Sequence, residues 1–210
     1  MAPGRLADPA PPVAADDPDL SRILTWPNAI TVVRLVLIPV YVWLLFSTPH
    51  QILAGLLLGA LGITDWVDGY LARRLHQVTT LGKILDPIAD RALVFTAVIT
   101  IAIYGAVPWW FAIATLVREV VVSGAVLLLA SLGSARIDVI WLGKAGTFGL
   151  MTAYPWLLIA HGPAEWQTVL HDVAWAVGWI GLLLAWTATI AYVRPARTAL
   201  ANGRAGRALG

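Results

Sequence analysis

Six apolar stretches, near residues 29–47, 51–72, 86–105, 108–131, 141–160 and 169–193, take up most of the 210-residue chain. Each approaches or exceeds the roughly 20 residues that an α-helix needs to cross a bilayer's hydrocarbon. A helix is suited to that setting because it satisfies its backbone N–H and C=O groups within one segment. The pattern predicts an all-α integral membrane protein with six transmembrane helices. Composition agrees: 59% of residues are hydrophobic and 12% charged, against about 25% charged in soluble domains. Breakers separate the stretches: Ser47-Thr48-Pro49-His50, the polar segment 73–85, Gly105 to Pro108, Ser131 to Asp138, and His161 to Gln167. Pro108 suits the first turn of a helix. There is no internal repeat and no second domain. The chain has no cysteine, which excludes disulfides and thiolate metal sites.

The placement of charge predicts orientation. Of the fourteen Lys and Arg residues, Arg5 and Arg22 precede the first stretch, and Arg73, Arg74 and Lys83 lie between the second and third. Arg136 and Lys144 lie around the join of the fourth and fifth, and Arg194, Arg197, Arg204 and Arg207 follow the sixth. Arg34, Arg91 and Arg118 fall inside stretches. Segments 48–50, 105–108 and 161–168 hold no Lys or Arg. Basic residues mark the cytoplasmic side, so both termini are expected in the cytoplasm and the protein in the cell membrane (inner or plasma), multi-pass. Residues 1–19, rich in Pro, Ala and Asp, read as a disordered cytoplasmic tail. Residues 20–195 read as one membrane domain and 196–210 as a basic tail. Residues 20–28 are short and amphipathic: an interfacial segment or a plain linker. Of eleven tryptophans, Trp26, Trp109, Trp110, Trp141 and Trp166 fall near stretch ends, as an interfacial aromatic belt would place them.

One polar stretch interrupts this pattern. Asp65 and Asp68 are three apart and share a helical face; Asp86 and Asp90 are four apart and stack on one face. Between them lie Arg73, Arg74, His76 and Lys83. Two helices meeting through a short connection would each offer two carboxylates at a membrane edge. Carboxylates there are costly unless something positive holds them, and the simplest holder is one or two divalent cations. Oxygen ligands without Cys or clustered His point to Mg²⁺ or Mn²⁺ rather than zinc, and calcium would also accept them.

The pattern Asp65-x2-Asp68-Gly69-x2-Ala72-Arg73-x8-Gly82-x3-Asp86-x3-Asp90 resembles the full signature of the CDP-alcohol phosphotransferases, with every fixed position matched. The resemblance extends over about residues 24–195. It implies two divalent metal ions gripping the diphosphate of a CDP-linked donor. Asp65, Asp68 and Asp86 would be the main ligands, with Asp90 near the second ion and acting as general base on the acceptor hydroxyl. Gly69 and Ala72 would leave room for the nucleotide, Gly82 would belong to the same donor site, and Arg73 would offer charge. Gly69 by itself is explained equally well by close helix packing. Asn28, Thr31 and Arg34 resemble the Asn-x2-Thr-x2-Arg entry of the family's phosphatidylglycerophosphate and cardiolipin synthases. Arg34 would line the nucleotide site or only snorkel. The resemblance also implies a homodimer, and nothing in the chain calls for nucleic acid.

The donor implied is CDP-diacylglycerol, its acyl chains in the bilayer and its head at a cytoplasmic site. For the acceptor, Arg118 stands within the fourth stretch beside Glu119 and has two readings: an internal ion pair with Glu119 or a motif acid, or a clamp on the acceptor phosphate. Lys144 and Arg194 are the other candidates for that pocket. The segments TWPNAITVVRLVLIPV and LGKILDPIADR resemble phosphatidylglycerophosphate and cardiolipin synthases. The resulting expectation is transfer to glycerol 3-phosphate with CMP release. Cardiolipin synthesis from phosphatidylglycerol stands second and phosphatidylinositol-phosphate synthesis third. A divalent-cation transporter would also use intramembrane acids, but its site would lie near the midplane in repeated halves; here the acids gather at one edge.

Overall fold

The computed structural model describes the backbone of residues 26–47, 49–75, 80–131 and 141–208, and the side chains of residues 28–47, 49–64, 85–125 and 141–191. The described chain is all helical. Its six helices are α1 (Trp26–Ser47), α2 (Gln51–Leu75), α3 (Thr80–Tyr104), α4 (Trp109–Ser131), α5 (Trp141–Ile159) and α6 (Glu165–Ala208). Each corresponds to one apolar stretch, but several run past it. The polar segment 73–85 largely joins α2 and α3, leaving only residues 76–79 between them. α6 continues beyond residue 193 through Ala208. An apolar run reports burial in lipid, whereas backbone hydrogen bonding continues into polar sequence, and Ala and Arg are strong helix formers. The expected N-terminal tail and residues 20–25 lie outside the described residues. Trp26, Pro27 and Asn28 form the first turn of α1, where Pro is well tolerated.

Among the described residues, three helical segments are long and apolar enough to cross a membrane: Asn28–Ser47, Leu85–Tyr104 and Glu165–Ala191. In α2 the apolar segment Gln51–Thr64 ends where the described side chains of that helix end. The side chains of α4 are described only to residue 125. The bundle's outside is apolar: Val36, Trp43, Leu56, Ile103, Phe148 and Leu183 are all exposed. Such a surface belongs to a membrane protein, whose solvent is lipid.

The turn between α3 and α4 shows how a breaker acts. Gly105 adopts φ 89°, a left-handed conformation that costs glycine nothing. Ala106 N–H donates to the Ile101 carbonyl and Gly105 N–H to the Ala102 carbonyl, each at 3.1 Å. These two bonds close α3 as a Schellman motif. The Pro108 carbonyl then accepts from Phe111 N–H at 3.1 Å to open α4.

α5 and α6 form the most extensive helix pair, and α1 packs on both α2 and α3. The α5–α6 approach depends on small residues. A Cβ on Gly146 would lie 2.5 Å from the Ala185 backbone nitrogen, and one on Gly181 would lie 2.9 Å from the Leu150 nitrogen. Membrane helices associate largely by such close packing, because lipid supplies no hydrophobic drive between them.

The three connections that lack Lys and Arg meet at one end of the bundle. Gln51, opening α2, donates through Nε2 to the His161 carbonyl. The Tyr104 hydroxyl, ending α3, donates to Gln51 Oε1 at 2.5 Å, and its ring packs edge-on against His161. Gln167 fastens the α5–α6 connection, donating to the Ile159 carbonyl at 2.8 Å and accepting from Ala164 N–H at 3.0 Å. Trp109, Trp110 and Trp166, at helix starts on this end, are about half exposed.

Candidate active site

Asp86 and Asp90 lie one turn apart on α3, with Pro87 between them. Opposite stands α1, whose Asn28, Thr31 and Arg34 recur at three-residue spacing and are all buried. Thr31 Oγ1 donates to Asp86 Oδ1 at 2.6 Å. Arg34 Nη1 donates to Asp90 Oδ1 at 2.8 Å, with the Arg34 side chain 1% exposed and that of Asp90 41%. Arg34 therefore does not snorkel. The i, i+3 step on α1 matches the i, i+4 step on α3, so one helix face holds two carboxylates of the other. The expected nucleotide-lining residues Thr31 and Arg34 act first on the motif acids.

A cavity of about 220 Å³ runs from Asp90 into the bundle between α2, α3, α4 and α5. Its charged end is Asp90 and Arg91 of α3 with Arg118 and Glu119 of α4. Leu93, Val94, Leu150 and Met151 contribute apolar wall. One turn from Arg118, Thr115 accepts a hydrogen bond from the Tyr154 hydroxyl at 2.9 Å and donates to the Phe111 carbonyl at 3.0 Å. α4 and α5 are thus linked at the cavity wall.

Glu119 Oε2 pairs with Arg118 Nη1 at 3.0 Å and Oε1 with Arg91 Nη1 at 2.7 Å. The ion-pair reading of Arg118 is therefore observed. Since Arg118 also lines the cavity, the pair does not remove it from an acceptor pocket. Lys144 is exposed and does not line the cavity; Thr147, a turn further along α5, does. Arg91 is not among the site residues expected from the sequence, and Glu119 is expected there only as the ion-pair partner of Arg118. The available signal was their position, beside Asp90 and Arg118 respectively.

The backbones of Asp65, Asp68, Gly69, Ala72 and Arg73 belong to α2, that of Gly82 to α3 and that of Arg194 to α6; their side chains lie outside the described residues. Among the described residues no three His, Asp or Glu side chains gather as a metal site. Asp86 and Asp90 supply hard oxygen donors on one face, which suits a Mg²⁺-type ion as half of a ligand set. The other half would have to come from α2.

The chain matches the CDP-alcohol phosphatidyltransferase family over residues 24–188. It is 38% identical over 156 residues to a putative cardiolipin synthase of Mycobacterium tuberculosis, covering 74% of this chain and 75% of that one. It is 36% identical over 177 residues to the CMP-forming cardiolipin synthase of Streptomyces coelicolor, covering 82% of each. The identity to the CDP-diacylglycerol–glycerol-3-phosphate 3-phosphatidyltransferase of Bacillus subtilis is 37% over 153 residues, 66% of this chain and 79% of that one. The fold and these matches define a transferase of phospholipid synthesis. The chain belongs to the CDP-alcohol phosphatidyltransferase family.

Proposed function

We propose that the protein transfers the phosphatidyl group of CDP-diacylglycerol to a hydroxyl of glycerol 3-phosphate, releasing CMP. The observation that carries the reading is the continuity of the cavity from Asp90 to Arg118. A hydroxyl beside Asp90 and a phosphate beside Arg118 can belong to one small molecule. The donor head would lie on Asn28, Thr31, Gly69, Ala72, Arg73 and Gly82. Asp65, Asp68, Asp86 and Asp90 would hold two Mg²⁺ or Mn²⁺ ions, which supply neutralisation of the diphosphate and of the entering and leaving oxygens. Asp90 takes the proton from the acceptor hydroxyl while that oxygen bonds to the phosphorus bearing the diacylglycerol. The bond from that phosphorus to the CMP oxygen breaks, and CMP leaves. Arg34 keeps the Asp90 carboxylate aimed. Arg118 holds the acceptor phosphate.

A second reading, cardiolipin synthesis from phosphatidylglycerol, is favoured by the two relatives named cardiolipin synthase, which cover more of the chain than the glycerol-3-phosphate enzyme does. Labelled CDP-diacylglycerol given to the purified protein with each acceptor separates them. Phosphatidylglycerophosphate as product, formed with glycerol 3-phosphate alone, supports the first reading. Cardiolipin formed from phosphatidylglycerol, with no reaction of glycerol 3-phosphate, replaces it with the second.

The reading includes six membrane spans with both termini and the site in the cytoplasm of a homodimer. Resemblance supplies the dimer. Support for the topology is the meeting of the three Lys- and Arg-free connections at the bundle end opposite Asp86 and Asp90. The chain lacks cysteine, so single-cysteine labelling is clean. His161→Cys is expected to react with an impermeant maleimide outside intact cells, and His76→Cys only after permeabilisation. The reverse pattern would invert the orientation.

A further inference from the structure

Glu119 faces two arginines from different helices. Its Oε1 accepts from Arg91 Nη1 and its Oε2 from Arg118 Nη1. Guanidinium groups stay charged at any physiological pH, so two positive charges against one negative leave one positive charge. The other acid among the described residues lining the cavity, Asp90, already faces Arg34, and the nearby Ser123 hydroxyl donates to the Glu119 carbonyl at 2.6 Å. Arg118 is 6% exposed, and its Nε is buried with no hydrogen-bond partner among the described residues. A buried charged donor without an acceptor is costly. Both arginines line the cavity, so a ligand there can reach both.

We propose that Arg91 and Arg118 are the two arms of a clamp for one phosphate-type anion, and that Glu119 is the positioning residue that sets their spacing. A plain cross-brace between α3 and α4 would need one arginine and one carboxylate. Among the described residues the shared carboxylate leaves a surplus positive charge beside the cavity, and an oxyanion supplies both the counter-charge and hydrogen-bond acceptors. The clamp adds Arg91 to the acceptor site. It rests on the proposed function only in taking the anion to be the acceptor's phosphate.

The test titrates the purified full-length protein with inorganic phosphate in Mg²⁺ buffer and follows its thermal transition. CDP-diacylglycerol is absent, so no turnover is needed. The wild-type transition is expected to rise with phosphate. Arg91→Gln is expected to need on the order of ten- to a hundredfold more phosphate for the same rise, the loss of one charge-assisted hydrogen bond. The Arg91 side chain is 44% exposed, so this variant should fold; Arg91→Lys should fall between it and wild type. In Glu119→Gln the transition without phosphate is expected to drop, and phosphate should restore part of it by supplying the missing counter-charge. A wild-type response in Arg91→Gln, or no response in the wild type, would overturn the clamp and leave a cross-brace. No recovery in Glu119→Gln would remove Glu119 from the positioning role. If glycerol-phosphate acceptors fail to release CMP while the phosphate response still follows Arg91, the acceptor is wrong and the clamp stands. The converse result sinks the clamp and spares the acceptor.

Discussion

Asp86→Asn is expected to lower CMP release at saturating Mg²⁺ by at least about a hundredfold, with little change in thermal stability. The described contact of Asp86 is a hydrogen bond accepted from Thr31 Oγ1, and an asparagine Oδ1 can still accept it. The substitution therefore removes one negative charge and one metal-type oxygen while keeping shape and packing. Asp65→Asn and Asp68→Asn are expected to be equally inactive if α2 supplies the other ligands. Asp90→Asn is a less clean variant. It removes the carboxylate that buried Arg34 faces, and taking a counter-charge from a buried guanidinium is destabilising. Its loss of activity would mix instability with the loss of a base. A near wild-type rate for Asp86→Asn, measured by CMP release alongside the melting temperature, would rule out the two-metal reading.

Arg118→Lys is expected to raise the acceptor KM and leave the CDP-diacylglycerol KM nearly unchanged. A lysine offers a point charge where the guanidinium offers a fork. Losing one charge-assisted hydrogen bond is worth ~1.5–3 kcal/mol, on the order of ten- to a hundredfold in kcat/KM for the acceptor. The structure adds a complication. Arg118 is fixed by Glu119, and Glu119 also holds Arg91. Replacing both Arg118 and Glu119 with apolar residues would therefore release Arg91 as well, so recovery in that double variant is not a clean sign of a structural pair. The lysine variant keeps the charge and is the sharper probe. An unchanged acceptor KM with a lowered melting temperature would assign Arg118 to structure alone.

The sequence by itself determined what depends on short-range order. The helices appear where apolar stretches stand, and the α3–α4 turn falls at Gly105 and Pro108, because helix stopping is decided by residues within one turn. The pairing of Asp86 with Asp90 is likewise a helical repeat, readable without a structure. The four-acid motif was enough to state the family, since its spacings lie within one stretch of chain. Helix ends were less legible: α3 begins at Thr80 and α6 reaches Ala208, because hydropathy tracks lipid contact while backbone hydrogen bonding continues past it. Partners across helices came only from the tertiary structure. Thr31 meets Asp86 across 55 residues and Arg34 meets Asp90 across 56. Glu119 is shared between Arg118 beside it and Arg91, 28 residues away. Each of these depends on how far one helix is rotated and shifted against another, which the packing of the whole bundle sets and no local periodicity encodes. Lys144 shows the same limit from the other side: its position suggested the acceptor pocket, but the rotation of α5 turns Thr147 to the cavity instead.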